Sequence, residues 1–234
     1  IKKEMFLEDE CYKRGEFSNG WSVGHEDLRL FRCNGKIYYI GSVLDYSKKL
    51  PGISSNVFDF EQQINSLIPN IIRPSFYENK TIPEKNWAFV NYKNQLHVVY
   101  NWYPLQIGKI NYNTKMLDIT EIKYNVPNYF KEMRGGSPGY YINNEIWFVV
   151  HKSNRYRLYK KNYYHYQHCF VVFDSNMNFL RCSELFKLGE HPIEFCTGLI
   201  IKNDEIILSY GLKDTESIIA IYDKSYVEKE LKWF

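Results

Sequence analysis

An all-β fold arranged as a small β-propeller is what this sequence predicts. Three observations carry the prediction. Short runs that are apolar throughout, or that alternate apolar with polar, recur along the chain between turn residues. They recur in pairs at a period of roughly 50–60 residues, the range of propeller blades rather than of solenoid repeats. Aromatic residues make up 18% of the chain, with 21 Tyr, 15 Phe and 5 Trp, enough to fill a large core.

The predicted strands are Lys36–Ser42, Gln95–Asn101, Glu145–His151, Cys169–Asp174, Glu205–Tyr210 and Ser217–Tyr222. Asn34-Gly35, Lys93-Asn94, Asn143-Asn144 and Asn203-Asp204 precede four of them. These dipeptides suit tight hairpins, because Gly, Asn and Asp tolerate positive φ. A first strand near His97–Trp102, Ile146–Lys152 and Ile207–Gly211 is followed by a second at Ile107–Tyr112, Phe170–Asp174 and Ile218–Asp223. Phe173-Asp174 and Tyr222-Asp223 close their strands alike, with an aromatic, an Asp and then a turn. Ile37–Ser42 opens an earlier copy, which makes four, and the N-terminal segment completes a fifth. A sandwich is the rival architecture, but it needs no long-period repetition. One helix is predicted, over Phe58–Ile68, where apolar positions fall near helical spacing and Pro69 stops the run. The rest reads as β, in a single domain over residues 1–234.

Composition excludes several classes. With 44% hydrophobic and 24% charged residues the chain is not intrinsically disordered. No apolar run approaches the roughly 20 residues of a membrane-spanning helix. A net charge of +3, with signs alternating along the chain, gives no nucleic-acid footprint. The most basic stretch, Lys152 to Lys161, is interleaved with tyrosines and reads as a solvated loop in preference to a single-strand binding surface. The cysteines (Cys11, Cys33, Cys169, Cys182 and Cys196) are odd in number and contain no CxxC pair, so structural zinc lacks its usual spacing. Cys169 and Cys196 lie in apolar runs and read as buried thiols of a reducing compartment. No signal region is visible, which together with the charge fits a cytoplasmic protein. The sequon Asn79-Lys80-Thr81 is weak evidence the other way. The absence of an initiator Met fits a fragment of a longer chain.

Five stretches, in order, carry a resemblance. They are Gly24-His25-Glu26-Asp27-Leu28-Arg29-Leu30-Phe31, Glu84-Lys85-Asn86-Trp87, Arg134-Gly135-Gly136-Ser137-Pro138, Ile193-Glu194-Phe195-Cys196-Thr197-Gly198-Leu199 and Leu208-Ser209-Tyr210-Gly211-Leu212-Lys213-Asp214. Together they resemble the five-bladed propellers of glycoside hydrolase family 130 and the related β-mannosyltransferases. The resemblance runs from about Gly24 to Asp223. It implies a five-bladed β-propeller with a central carbohydrate pocket, in which mannosidic bonds are phosphorolysed, hydrolysed or formed. It implies that Asp27 is the general acid, matching the Asp of a Glu-Asp-Pro-Arg motif, and that Arg29 matches the motif's Arg. Leu28 departs from the motif's Pro. Asp214 matches a Tyr-Gly-x-x-Asp pattern that contacts the donor sugar. Lys85, Arg134 and His151 fall where the phosphorylases hold phosphate.

The same residues also have a reading of their own. Breaking a glycosidic bond needs a proton donor at the leaving oxygen and an attacking group on the other face. Glu26 and Asp27 are adjacent carboxylates at a strand start, and strand alternation lets only one face a pocket. Arg29, two residues on, shares the face of Asp27 and can ionise or orient it. The plain alternative is an exposed turn with a surface ion pair. Lys85 can hold a phosphate as a point charge, Asn86 suits hydroxyls, and Trp87 is a sugar platform or a core anchor. Arg134 beside Gly135-Gly136 reads either as an anion-binding nest or as an ordinary turn between blades. His151 ends an apolar strand and is either a site residue or structural. His165 and His168, three apart, do not share a strand face and do not suggest a metal pair. Glu194 lies in an apolar stretch where a carboxylate needs a partner, so it binds hydroxyls or braces an arginine.

The function expected is hexosyl (mannosyl-like) transfer, by a glycosyltransferase or a phosphorylase. The alternative is a glycan-binding propeller without catalysis. Expected partners are an oligosaccharide or glycan acceptor and a sugar phosphate, nucleotide sugar or inorganic phosphate. Fusion to another glycan-processing domain is a further expectation. No metal or cofactor is called for.

Overall fold

The computed structural model describes residues 25–45, 50–58, 70–76, 83–158, 161–213 and 215–234. The chain forms two compact units: Ile1–Asn86 with Lys109–Ile119, and Trp87–Gly108 with Thr120–Phe234. Of the predicted helix Phe58–Ile68 only Phe58, which ends the third strand, is among the described residues, and the sequon lies outside them.

In the first unit β1 (Glu26–Cys33), β2 (Lys36–Asp45), β3 (Leu50–Phe58) and β4 (Ile71–Pro74) follow one another in antiparallel order. The second unit holds β5 (Ala88–Tyr92) and β6 (Gln95–Trp102). β7 (Leu105–Asn111) and β8 (Met116–Lys123) give residues to both units. In the first unit β4 pairs with β8 in parallel, Arg73 opposite Met116.

After β8 come a short 3-10 turn (Asn128–Glu132) and a sheet of five strands. These are β9 (Met133–Gly135), β10 (Tyr140–Ile142), β11 (Glu145–Leu158), β12 (Lys161–Asp174) and β13 (Phe179–Cys182). A three-stranded sheet follows, of β14 (Glu194–Lys202), β15 (Glu205–Leu212) and β16 (Glu216–Asp223).

All six predicted strands are present, and the four dipeptides close their hairpins. Both residues of each have φ between 48° and 77°, the left-handed pair that a two-residue hairpin turn requires. The stretch after His151, read as a loop, instead continues the β11–β12 ladder, with Lys152 opposite Gln167 and Leu158 opposite Lys161. Its polar side chains hide the strand from a search for apolar alternation, while its tyrosines favour one.

The packing separates a propeller from a sandwich. In β11, Ile146, Phe148 and Val150 enter one core with Trp102, Phe130 and Phe173. Their alternates Trp147 and Val149 enter a second core with Phe170, Leu208 and Tyr210. A strand buried on both faces belongs to a sheet stacked between neighbours, whereas sandwich strands alternate core with solvent. The strand therefore reads as an unbroken apolar run.

The sequence did not predict the closing helix, α1 (Lys224–Glu230). Asp223 caps it by accepting from the Tyr226 N–H at 3.0 Å, and Lys224 pairs with Glu228 one turn on at 2.7 Å. Only Val227 is buried from it, so it carries almost no helical periodicity.

Cys33, Cys169, Cys182 and Cys196 are free thiols and all buried. Burial raises the pKa of Cys33, and the hydrogen bond that the Cys169 thiol donates to Cys182, together with burial, raises that of Cys169. Thiolates are the reactive form, so Cys33 and Cys169 should resist alkylation in the native protein and react fully in urea, while Cys182, brought down to about 7 by its hydrogen bonds with Cys169 and Tyr129, is shielded by burial alone. Peptide mapping after a short iodoacetamide pulse reads this out. Native labelling of Cys33 or Cys169 as fast as in urea would count against their burial.

Candidate functional site

The candidate acid sits at a break in strand β1. Glu26 pairs with Ser42 and Arg29 with Ile40, so Asp27 and Leu28 together oppose the single residue Gly41. This is a β-bulge, and Asp27 occupies it with φ 52°. Asp is among the few non-glycine residues that adopt this left-handed backbone at modest cost. Gly41 has no side chain because a Cβ there would lie 2.9 Å from Leu28 Cδ2 and 3.0 Å from the Glu26 carbonyl. The bulge interrupts the two-residue period, so the expectation that Asp27 and Arg29 share a strand face fails locally.

Around the bulge the first unit gathers polar groups. Arg29 is 1% exposed, and its Nη2 donates to Asn86 Oδ1 at 3.5 Å. Asn86 also has positive φ, 63°. Lys85 Nζ reaches Glu26 Oε2 at 3.4 Å, but both side chains are largely exposed, so the pair contributes little. The sequence left His25 unassigned. Its Nε2 lies 3.0 Å from Ser54 Oγ and its ring meets Tyr39 edge-on. Ser54 Oγ accepts from the Asn70 N–H at 3.1 Å, and Ser55 Oγ lies 3.1 Å from the Tyr112 hydroxyl. Burial pushes the Tyr112 phenol up to about 12. The fully buried Ser54-Ser55 pair in β3 bonds to His25, Tyr39, Asn70 and Tyr112, but serines give no periodicity for a sequence search to find.

The second unit holds Arg134, His151 and Glu194. Arg134 stands opposite His151 in the β9–β11 pairing. Its exposed guanidinium donates to the carbonyls of Met133 (2.9 Å) and Lys131 (3.2 Å). His151 is buried among Phe195, Tyr166 and His168, with ring centroids 4.9, 5.5 and 6.4 Å away. Glu194 is fully buried, with Oε2 accepting from the Leu188 N–H at 2.8 Å and Oε1 from the His191 N–H at 3.2 Å. Its carboxylate thus ties down the loop before β14 instead of bracing Arg134 or Arg29. Tyr210 is pushed up in pKa by burial and by the Glu194 charge.

Gly135-Gly136 does not form an anion nest. A nest needs alternating backbone hands, and among the described residues Gly35 is the only glycine with positive φ. The Ser137 N–H is already given to Val149 O at 2.9 Å, and Ser137 Oγ accepts the Val149 N–H at 2.8 Å. The segment is an extended tie between β9 and β11. Trp87 is a core side chain, 1% exposed and edge-on to Tyr100. Asp214 lies outside the described residues. No cluster of three metal-ligating side chains occurs among the described residues, and no described helix is long and apolar enough to cross a membrane.

No protein-family model matches the chain, and no curated protein matches its sequence. Solved structures do. A glycosyl hydrolase from Bacteroides ovatus superposes with a TM-score of 0.58 at 12% identity, over 88% of this chain and 66% of its own. The β-1,2-mannobiose phosphorylase from Listeria innocua, in complex with β-1,2-mannobiose, gives 0.56 at 14% identity, over 89% and 60%. A putative glycoside hydrolase from Bacteroides ovatus ATCC 8483 gives 0.57 at 14% identity, over 87% and 70%. The chain spans less than two thirds of the length of the first two. At these identities the likeness is one of fold: the chain is all-β, with the architecture of these propeller proteins.

Proposed function

We propose that the protein transfers a hexosyl, mannosyl-like unit and that Asp27 is its general acid. The observation that carries this reading is the bulge at Asp27. Asp27 sits in left-handed backbone opposite a glycine with no room for a side chain and two residues from a buried arginine, so its placement is fixed by its surroundings and not by a solvated turn. Bulges that re-aim a side chain concentrate beside active sites. The ordered sequence motifs and the fold shared with a mannobiose phosphorylase and glycoside hydrolases support the same reading.

In this mechanism the Asp27 carboxyl gives its proton to the glycosidic oxygen as the C1–O bond breaks. The attacking oxygen, of phosphate or of an acceptor hydroxyl, bonds to C1 and yields its proton, which restores the acid. Arg29, held by Asn86 Oδ1, binds substrate beside the acid. Lys85 and Asn86 offer a cation and an amide to phosphate or sugar hydroxyls, and Glu26 holds Lys85. By the motif resemblance, Arg134 and His151 are assigned to phosphate and Asp214 to the donor sugar. Glu194 is a positioning residue. The substrates are an oligosaccharide or glycan with inorganic phosphate, or a sugar phosphate or nucleotide sugar with a glycan acceptor.

The test compares wild type with Asp27→Asn on a panel of sugar 1-phosphates, nucleotide sugars and manno-oligosaccharides, with products read by mass spectrometry. Turnover by wild type should fall roughly 10²–10⁴-fold in the variant while circular dichroism stays unchanged. Undiminished turnover in Asp27→Asn removes Asp27 as the acid. The motif's departure at Leu28 favours a second reading, a propeller that binds glycan without catalysis. Its mark would be sugar-dependent thermal stabilisation with no turnover by either protein.

A further inference from the structure

A cavity of about 160 Å³ lies in the second unit beneath α1. Its wall is mainly apolar, from Phe170, Phe186, Leu188 and Val227, with the rings of Tyr222 and Tyr226 beside them. None of these residues has a role in the proposed transfer. The aromatic side is built in advance: Phe170 stacks on Phe186 at 5.0 Å and 26°, and on Trp233 at 6.3 Å and 24°. Lys187 and Glu230 stand at the cavity's edge with opposite charges.

We infer that this cavity is a binding site for a small, neutral aromatic molecule of one ring or a fused pair. Volume, lining and charge each narrow the class. A space of this volume admits one ring or a fused pair, and its mainly apolar lining favours such an occupant over a polar one. A hexose is disfavoured, because its hydroxyls would lose water without gaining enough partners. The opposite charges at the edge give no net attraction for a carboxylate or an amine, which leaves a neutral occupant. With the faces of Phe170 covered, the rings of Phe186, Tyr222 and Tyr226 are those a bound ring can stack on or meet at an edge.

Occupancy reaches the candidate site through one short link. Leu188, in the cavity wall, donates its N–H to Glu194 Oε2. A ring packed against Leu188 therefore steadies the loop that Glu194 ties down.

The test uses indole and toluene as probes on the full chain, with isothermal calorimetry and thermal unfolding. Indole should bind saturably at one site per chain and raise the melting temperature in step with its concentration. Val227→Phe, which fills the cavity from α1, should weaken indole at least 10-fold while the protein stays folded. Leu231→Trp fills the same space from the chain end and serves if Val227→Phe does not fold. Absence of saturable indole binding to wild type overturns the inference. So does undiminished indole affinity in a folded, filled variant. The result is independent of turnover, so it stands or falls apart from the role of Asp27.

Discussion

Gly136→Ala should destabilise the protein by about 3 kcal/mol or more, and in a protein of ordinary stability that is a large share of the total. The cause is contact with backbone. A Cβ at Gly136 would lie 2.6 Å from the Val149 carbonyl oxygen and 3.1 Å from that of Cys196. Neither atom can rotate away, so β9 would have to leave β11, and with it the paired hydrogen bonds of Ser137 with Val149. Gly35→Ala is the contrasting case. Gly35 has φ +77° and nothing within 4 Å of a built Cβ, so that change costs only the backbone preference, about 1 kcal/mol. Urea unfolding of the two variants beside wild type measures both. Equal, small losses would remove the close approach of β9 and β11.

His168 should make stability fall steeply with acid. It is fully buried and neither ring nitrogen has a hydrogen-bond partner. Burial lowers its pKa from 6.5 to about 4. The unfolded chain takes up a proton below pH 6.5 and the folded chain does not until about pH 4. The unfolded state therefore binds more protons across that window, and stability rises with pH through it. The contribution is complete above pH 6.5 and diminishes toward pH 4, by roughly 3 kcal/mol in all. His168→Leu removes the titration and also two unsatisfied buried polar atoms. Its stability should equal or exceed wild type at pH 7.5, and its advantage should widen by roughly 2 kcal/mol at pH 5. Carboxylates elsewhere titrate in both proteins and cancel in the difference. Parallel pH slopes in the two proteins would show that His168 is not held neutral by burial.

What was legible in the sequence followed from physics that acts over a few residues. The turn dipeptides announced their hairpins because positive φ selects Asn, Asp and Gly. The apolar run Ile146–Val150 announced a strand covered on both faces. Legibility failed where a distant residue decides the local structure. Glu26 to Cys33 reads as a regular strand, and only Gly41 on the neighbouring strand reveals the bulge at Asp27. Glu194 looked like a ligand or an arginine's partner until its loop supplied two backbone N–H groups. Gly136 looked like an anion nest, although its lack of a side chain serves the approach of two carbonyl oxygens. The polar half of the β11–β12 ladder was hidden because its partners are other polar residues.

The two-residue turns also govern which changes of length the chain can absorb. In the hairpin closed by Asn203-Asp204, Leu199 lies opposite Leu208 and Ile201 opposite Ile206, all four buried. Adding one residue to a strand moves every later side chain to the other face, so Ile207 and Ser209 would replace Leu208 and Tyr210 in the core. Such a hairpin tolerates insertions only by even counts or as a new bulge. A segment free of this parity, such as 124–127, is where length can vary by single residues without turning a sheet inside out.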